Sequence, residues 1–350
     1  MVVIGRHGDA TDGPVADLGT YRAVDGSEAD SVALDVDRPH AVSVLGKRGY
    51  GKSHTLGVFA EELARTDGVA PVVVDPMGAF TGLEADVTGD DVGTVPARVV
   101  GGPTVPAGSI DPPSWCSLLG LPPESGAGAL VWQAARAADT LVGMLAHARS
   151  AEAPAADVRA AVNHLELAAS WGVFDADGLS AGALATDAAT VLDVSGLDSA
   201  PMNAVVRAVG ESLYRARVSG DIDRLPWLLV DEAHAFFDGV AAGALRRILT
   251  RGRAPGASLV LATQRPGDLP AVALSQSDLL VAHRLTSGRD RDTLREARPE
   301  TSDAVLVERL PDTPGEAVLV DDTTESVHTV RVRRRHTPHT GASVTVSSSY

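Results

Sequence analysis

Eight residues, Gly46-Lys47-Arg48-Gly49-Tyr50-Gly51-Lys52-Ser53, fit the pattern G-x-x-x-x-G-K-[ST], in which backbone N–H groups cradle phosphates. Of the 30 Lys and Arg residues only two are lysines, and both fall in this loop. A compact, mobile ammonium reaches between phosphate oxygens where the planar fork of arginine fits poorly. The phosphate-binding set is read as Gly46, Arg48, Gly49, Tyr50, Gly51, Lys52, Ser53 and His54. Lys52 is placed on the β- and γ-phosphates of ATP and the Ser53 hydroxyl on Mg²⁺. The competing reading is an ordinary glycine turn. Context argues against it: the apolar run 41–45 reads as a buried strand, and Leu56, Phe59 and Leu63 recur at helical spacing after the loop. Strand, glycine loop and helix N-terminus together favour bound anions.

Leu228-Leu229-Val230-Asp231-Glu232-Ala233-His234 is an apolar run ending in adjacent carboxylates. Strand ends often carry solvated acids, so the pair alone says little. Beside a phosphate loop, Asp231 is expected to hold Mg²⁺ through water, and Glu232 to polarise the water that attacks the γ-phosphate. A third buried run, 259–263, ends at Gln264, a candidate to sense the γ-phosphate or orient that water, with Thr263 second. The basic segment 245–253 offers Arg253, with Arg251 second, as a finger supplied in trans to a neighbouring subunit's nucleotide. Its competing reading is a set of solvated charges at a helix C-terminus. The catalytic set is thus Glu232, Gln264 and Arg253, and the metal set Ser53 and Asp231.

Such residues must be held at the ends of strands in a mainly parallel α/β sheet. Apolar runs at 2–4, 31–36, 41–45, 71–75, 190–194, 225–231, 257–263, 278–285, 316–320 and 326–332 predict the strands. The spacing predicts helices over 54–65, 126–148, 156–169 and 202–218, with Leu130, Ala134, Leu141, Met144 and Leu145 along one face. Residues 1–40 read as a short β-rich segment and 41–336 as one nucleotide-binding domain. Within it 111–184 is either a helical insertion or a set of crossover helices. Residues 337–350 read as a flexible tail or docking strap. The cluster Arg331, Arg333, Arg334 and Arg335 reads first as a solvated strand face, then as a DNA or acidic-subunit contact. His234 and His283 lack zinc spacing and read as structural. Cys116, the single cysteine, sits beside Trp115 and reads as packing.

Composition narrows the class. The formal net charge is −16, with 46 acidic against 30 basic residues. That balance suits a self-repelling, solvated surface in a high-salt cytoplasm, as in a halophilic archaeon; GC-rich coding bias accounts for it equally well. It argues against a broad nucleic-acid-binding face and leaves room for a small basic lining such as a pore. No apolar stretch approaches the roughly 20 residues that span a bilayer, and no leader is apparent, so a soluble cytoplasmic protein is expected.

The ordered set of motifs resembles the archaeal HerA family, of the HerA/FtsK branch of RecA-like ATPases. It comprises the loop 46–53 continuing His-Thr-Leu-Gly-Val, Val-Val-Val-Asp-Pro-Met-Gly at 72–78, Val-Leu-Asp-Val-Ser-Gly-Leu-Asp at 191–198, Leu-Leu-Val-Asp-Glu-Ala-His at 228–234 and Ala-Thr-Gln-Arg-Pro-Gly-Asp-Leu-Pro at 262–270. The resemblance covers about 36–319. It implies a RecA-like core, a hexameric ATP-driven translocase of duplex DNA in repair, a helical insertion at 111–184, and Arg253 as the trans-acting arginine. Two departures stand out. Some 40 leading residues are too few for the family's docking β-barrel, which weakens a partnership with a NurA-type nuclease. Gly78-Ala79-Phe80 also replaces the family's Gly-Glu-Tyr after the second strand. A viral or plasmid packaging or conjugation ATPase and a nucleotide-dependent switch without translocation are the alternatives, and a strand-exchange recombinase is more distant.

Overall fold

The computed structural model describes residues 1–6, 13–22, 27–85, 94–297, 306 and 308–339. Twelve strands form one sheet: β1 (Val2–Ile4), β2 (Val15–Arg22), β3 (Glu28–Asp35), β4 (Ala41–Leu45), β5 (Val69–Asp75), β6 (Ala97–Gly101), β7 (Ala189–Asp193), β8 (Leu225–Val230), β9 (Ser258–Thr263), β10 (Leu279–Ala282), β11 (Glu316–Asp321) and β12 (Ser326–Val332). Their order is β1-β3-β2-β12-β11-β10-β4-β9-β8-β5-β7-β6. From β10 to β6 every pairing is parallel. Parallel strands are covered on both faces, which is why they appear in the sequence as continuous apolar runs. Alternate residues of β8 and β9 feed two cores. Leu228, Val230, Leu259 and Leu261 face one, and Trp227, Leu229, Val260 and Ala262 the other.

The helices that position the site are α1 (Lys52–Ala64), α2 (Pro112–Leu118), α3 (Gly126–Ala137), α4 (Leu141–Arg149), α5 (Ala155–Ser170), α6 (Ala181–Leu184), α7 (Ser199–Ser219), α8 (His234–Phe237) and α9 (Ala242–Arg251). Helix α1 connects β4 to β5 and buries Leu56, Phe59 and Leu63 against the second core. Helices α2 to α6 all lie within the connection from β6 to its parallel neighbour β7. The single helix predicted over 126–148 is two. The Thr140 backbone is extended and its hydroxyl accepts from Gly143 N–H at 3.1 Å, capping α4. The Asp139 carbonyl is also held by Gly108 N–H at 2.8 Å.

The remaining strands extend the sheet rather than standing apart from it. β11 and β12 form an antiparallel hairpin beside β10, and β12 pairs antiparallel with β2 at Val330↔Tyr21. β2, unpredicted, carries Asp17 and Gly19 among its apolar residues and has no run to betray it. β6, also unpredicted, is a half-exposed edge strand. The start of the expected tail is fixed: Thr337 is buried and hydrogen-bonded to Glu61 of α1. Residues 340–350 of that expectation lie outside the described residues.

Candidate active site

The loop 46–51 leaves β4 and enters α1 through Gly51, which holds φ +119°, a conformation suited to glycine. No side chain caps α1, so its first N–H groups face the cavity before it. Two backbone contacts set the loop from behind. Gly46 N–H donates to the Thr263 carbonyl at 3.3 Å, and Lys47 N–H to that of Arg284 at 2.8 Å. A Cβ on Gly46 would come within 2.6 Å of the His283 Cβ, so only glycine lets the loop pass. His283 is itself fully buried, with Nδ1–H donating to the Glu316 carbonyl at 2.8 Å and Nε2 accepting from the Thr55 hydroxyl at 2.9 Å. Burial lowers its pKa to about 4, so it is neutral at ordinary pH.

Lys52 is 5 % exposed and its ammonium contacts the Lys47 carbonyl at 3.4 Å. Burial pushes its pKa down, while the carboxylates of Glu232 and Asp231 oppose the shift and Arg48 adds to it. The Tyr50 ring lies under the Arg284 guanidinium at 5.3 Å, and Arg48 and Gly49 are exposed at the loop tip. His54, one turn into α1, donates from Nε2 to the Arg333 carbonyl at 2.8 Å.

β9 lies between β4 and β8, with Leu45 opposite Thr263 and Val230 opposite Leu261. The three strand ends therefore bring the loop, Asp231-Glu232 and Gln264 to one edge of the sheet. Ser53 Oγ donates to Asp231 Oδ2 at 2.9 Å. Asp231 is 1 % exposed, and burial, joined by the charge of Glu232, pushes its pKa up to about 6 against the Ser53 hydrogen bond. Glu232 holds φ +46°, a strained value for a side-chain-bearing residue of the kind that collects at functional sites. Gln264 Nε2 donates to both Glu232 oxygens at 3.3 Å.

His234 completes the group and was read from the sequence as structural. Its Nδ1 lies 3.1 Å from Thr263 Oγ1 and 3.4 Å from Glu232 Oε2. Glu232 is its neighbour two residues back, and the parallel register of β8 and β9 brings it to Thr263. Thr263 Oγ1 in turn accepts from Arg265 N–H at 3.0 Å, so this threonine braces the turn beside Gln264. Asp75, at the end of β5, accepts from the N–H groups of Met77, Ala79 and Phe80 and is fully buried. It organises its own turn.

Arg253 stands apart. It is exposed just beyond α9, before β9 begins, whereas Gln264 follows the end of β9. The six-residue strand separates the two by roughly 20 Å. Arg251 is exposed on the same side.

The arginine cluster 331–335 differs from its reading as a solvated face. Arg333 and Arg335 lie against the fully buried carboxylate of Glu61. Arg331 and Arg334 line a cavity of about 530 Å³ whose other wall is Arg48, Lys52, Ser53, Asp231 and Glu232. Another cavity, of about 520 Å³, lies beside α7 against Glu211 and Arg215 and holds none of the predicted residues.

A mostly parallel sheet with a phosphate loop after one strand and an Asp-Glu pair two strands away defines the RecA-like P-loop ATPase fold. Residues 17–140 match the family model described as helicase HerA, central domain, and the HerA resemblance read from the motifs is borne out by it. VirB4 of Thermoanaerobacter pseudethanolicus is 16 % identical, with a TM-score of 0.63 over 92 % of this chain and 97 % of its own. The plasmid coupling protein TrwB in complex with ADP and Mg²⁺ is 15 % identical, with a TM-score of 0.60 over 95 % of this chain and 98 % of its own. At such identities the likeness is one of fold. No curated protein matches the chain. Among the described residues no helix is long and apolar enough to cross a membrane.

Proposed function

We propose that this chain binds ATP with Mg²⁺, hydrolyses it, and uses the turnover to move duplex DNA as a homo-oligomeric, hexameric ring. The observation that carries the reading is the 2.9 Å hydrogen bond from Ser53 to Asp231, which joins the phosphate loop to the acidic pair across an intervening strand. In this reading the α1 N-terminus and the loop N–H groups hold the phosphates, and Lys52 neutralises the β/γ end. Glu232 polarises the attacking water, and Gln264 fixes the Glu232 carboxylate until the γ-phosphate arrives.

The donor set suits Mg²⁺. A hydroxyl and a buried carboxylate are hard oxygen donors, and Mg²⁺ keeps most of its other positions for water and phosphate. Ser53 and Asp231 would hold it, and when bound it supplies charge neutralisation at the β- and γ-oxygens. TrwB, with the same fold, holds ADP and Mg²⁺.

The position of Arg253 supports a ring. On the far side of β9 it cannot reach its own phosphate loop, and a head-to-tail interface would carry it to a neighbour's. DNA repair in the cytoplasm, with or without a NurA-type nuclease, is the context that the HerA likeness favours. A conjugative context is the second reading, favoured by the fold shared with a bacterial conjugative coupling protein.

The test is ATP turnover with and without duplex DNA, together with the assembly mass. Hydrolysis lost in Lys52→Ala and Glu232→Gln, and stimulated by DNA in the wild type, is the expected result. Hydrolysis indifferent to DNA would leave a nucleotide switch. No hydrolysis by a folded wild-type ring would overturn the proposal.

A further inference from the structure

The cavity before the phosphate loop has two walls of different origin. One is the loop with Asp231 and Glu232. The other comes from the C-terminal hairpin and the strap after it: Pro314, Gly315, Val332 and Arg334 among others. This second wall is tied to a definite part of the loop. Gly315 N–H donates to the Tyr50 carbonyl at 3.3 Å, and His54 Nε2–H to the Arg333 carbonyl at 2.8 Å. Val332 N–H closes onto the Gly315 carbonyl at 2.9 Å. The strap thus borders Tyr50, Gly51 and His54, whereas Ser53 turns toward Asp231.

That division orients any nucleotide bound here. Lysine and the acidic pair take the β/γ end of the triphosphate in a phosphate loop of this pattern, and the backbone cradle holds the α/β end. The γ end therefore points to Asp231 and Glu232, and the nucleoside leaves on the side of Gly51, His54 and the strap.

On this side Arg331 lies 3.7 Å from Glu316, and the other three arginines are divided in their use. Arg333 donates to Glu61 Oε2 and Glu62 Oε1, both at 2.8 Å. Arg335 lies 3.7 Å from Glu61 Oε1 and stacks over Phe80. Glu61 also accepts from His336 N–H, Thr337 N–H and the Thr337 hydroxyl, which fixes the strap on α1. Between these anchors Arg334 is exposed to the cavity, and its guanidinium has no hydrogen-bond or ion-pair partner among the described residues.

Resting on the reading of this site as an ATP site, we propose that Arg334 binds the nucleoside 5′-phosphate end of the nucleotide in cis, with Val332 and Pro314 as its apolar floor. A planar cation suits both an α-phosphate and the face of a base. The arginines at 333 and 335 serve to hold it there.

Binding of Mg·ADP and of Mg·pyrophosphate to the full chain, measured by calorimetry, separates the possibilities. Arg334→Ala should weaken ADP about tenfold or more, the loss of one charge-assisted contact, and change pyrophosphate less than about twofold. Lys52→Ala should weaken both. Arg246→Ala, an exposed charge removed elsewhere, should change neither. Wild-type affinity for ADP in Arg334→Ala overturns the assignment, as does an equal loss for ADP and pyrophosphate, which would mark a diffuse field. A wild-type chain that binds neither ligand overturns the ATP reading beneath it.

Discussion

Arginines crowd two stretches, 246–253 and 331–335, four in each, and the fold treats them in opposite ways. In the first, Arg246, Arg251 and Arg253 are exposed around the end of α9, and Arg247 alone of the four pairs with a buried acid, Glu211. In the second, Arg333 and Arg335 are 11 % and 2 % exposed against Glu61, itself at 0 %. The difference comes from what lies opposite. A buried carboxylate stays charged only where hydrogen bonds and cations replace the water it loses, and the crossing strap brings Glu61 three hydrogen bonds and two arginines. Apart from Arg247, the arginines of the first stretch meet no such acid and face solvent. Two arginines of one cluster became architecture, and three of the other remained at the surface.

The comparison can be broken most forcefully at Arg253. If the exposed stretch serves a neighbouring subunit, Arg253→Ala should assemble and bind ATP yet hydrolyse it about 10³-fold more slowly. Mixing with Lys52→Ala subunits should restore part of the rate, because an intact loop then meets an intact arginine. A wild-type rate would remove Arg253 and turn attention to Arg251.

Next in size is Glu61→Ala, which takes the buried carboxylate away from Arg335 and leaves Arg333 paired with Glu62 alone. Loss of one partner from a buried pair costs about 3–5 kcal/mol, so chemical denaturation should show a drop of that order. An unchanged midpoint would show that the strap contributes nothing to the fold.

The pH dependence sharpens the same point. Burial raises the Glu61 pKa, but the Thr337 hydroxyl, the Thr337 and His336 N–H groups and Arg333 together bring it below the ordinary 4.5. A carboxyl held below its unfolded value stabilises fully above pH 4.5, and the contribution is lost as the pH falls through the folded value. Acid should therefore loosen the strap in the wild type, seen as faster amide exchange at His336 and Thr337. In Glu61→Gln that pH dependence should be absent.

The smallest effect belongs to the exposed stretch taken as structure. Arg246→Ala should change stability by no more than about 0.5 kcal/mol, and a loss several times larger would mean that the stretch is not the free surface described.

The residues proposed to do chemistry at the strand ends stand out in the sequence because each belongs to a local pattern. A glycine-spaced loop, an apolar run ending in Asp231-Glu232 and another ending in Gln264 each announce themselves within about ten residues. The parallel strands were legible for a related reason, since burial on both faces leaves an unbroken apolar run. Glu61 was not. It follows the apolar stripe of α1 with a neighbour, Glu62, of the same type, and nothing local distinguishes the buried acid from the exposed face of an amphipathic helix. The break at 138–140 was hidden too, because alanine-rich sequence favours helix throughout and only a contact with Gly108 and a threonine cap end it.

By itself, then, the sequence determined the phosphate loop, the acidic pair and the parallel core, since each follows from residue types a few positions apart. The tertiary structure alone decided that His234 meets Thr263, that Arg253 faces away from its own site and that Arg334 faces into it. These depend on strand order, on β9 lying between β4 and β8 and on β12 delivering the strap across α1. Pairings between residues nearly 300 positions apart are set by which sheet edges meet, and no local periodicity encodes that.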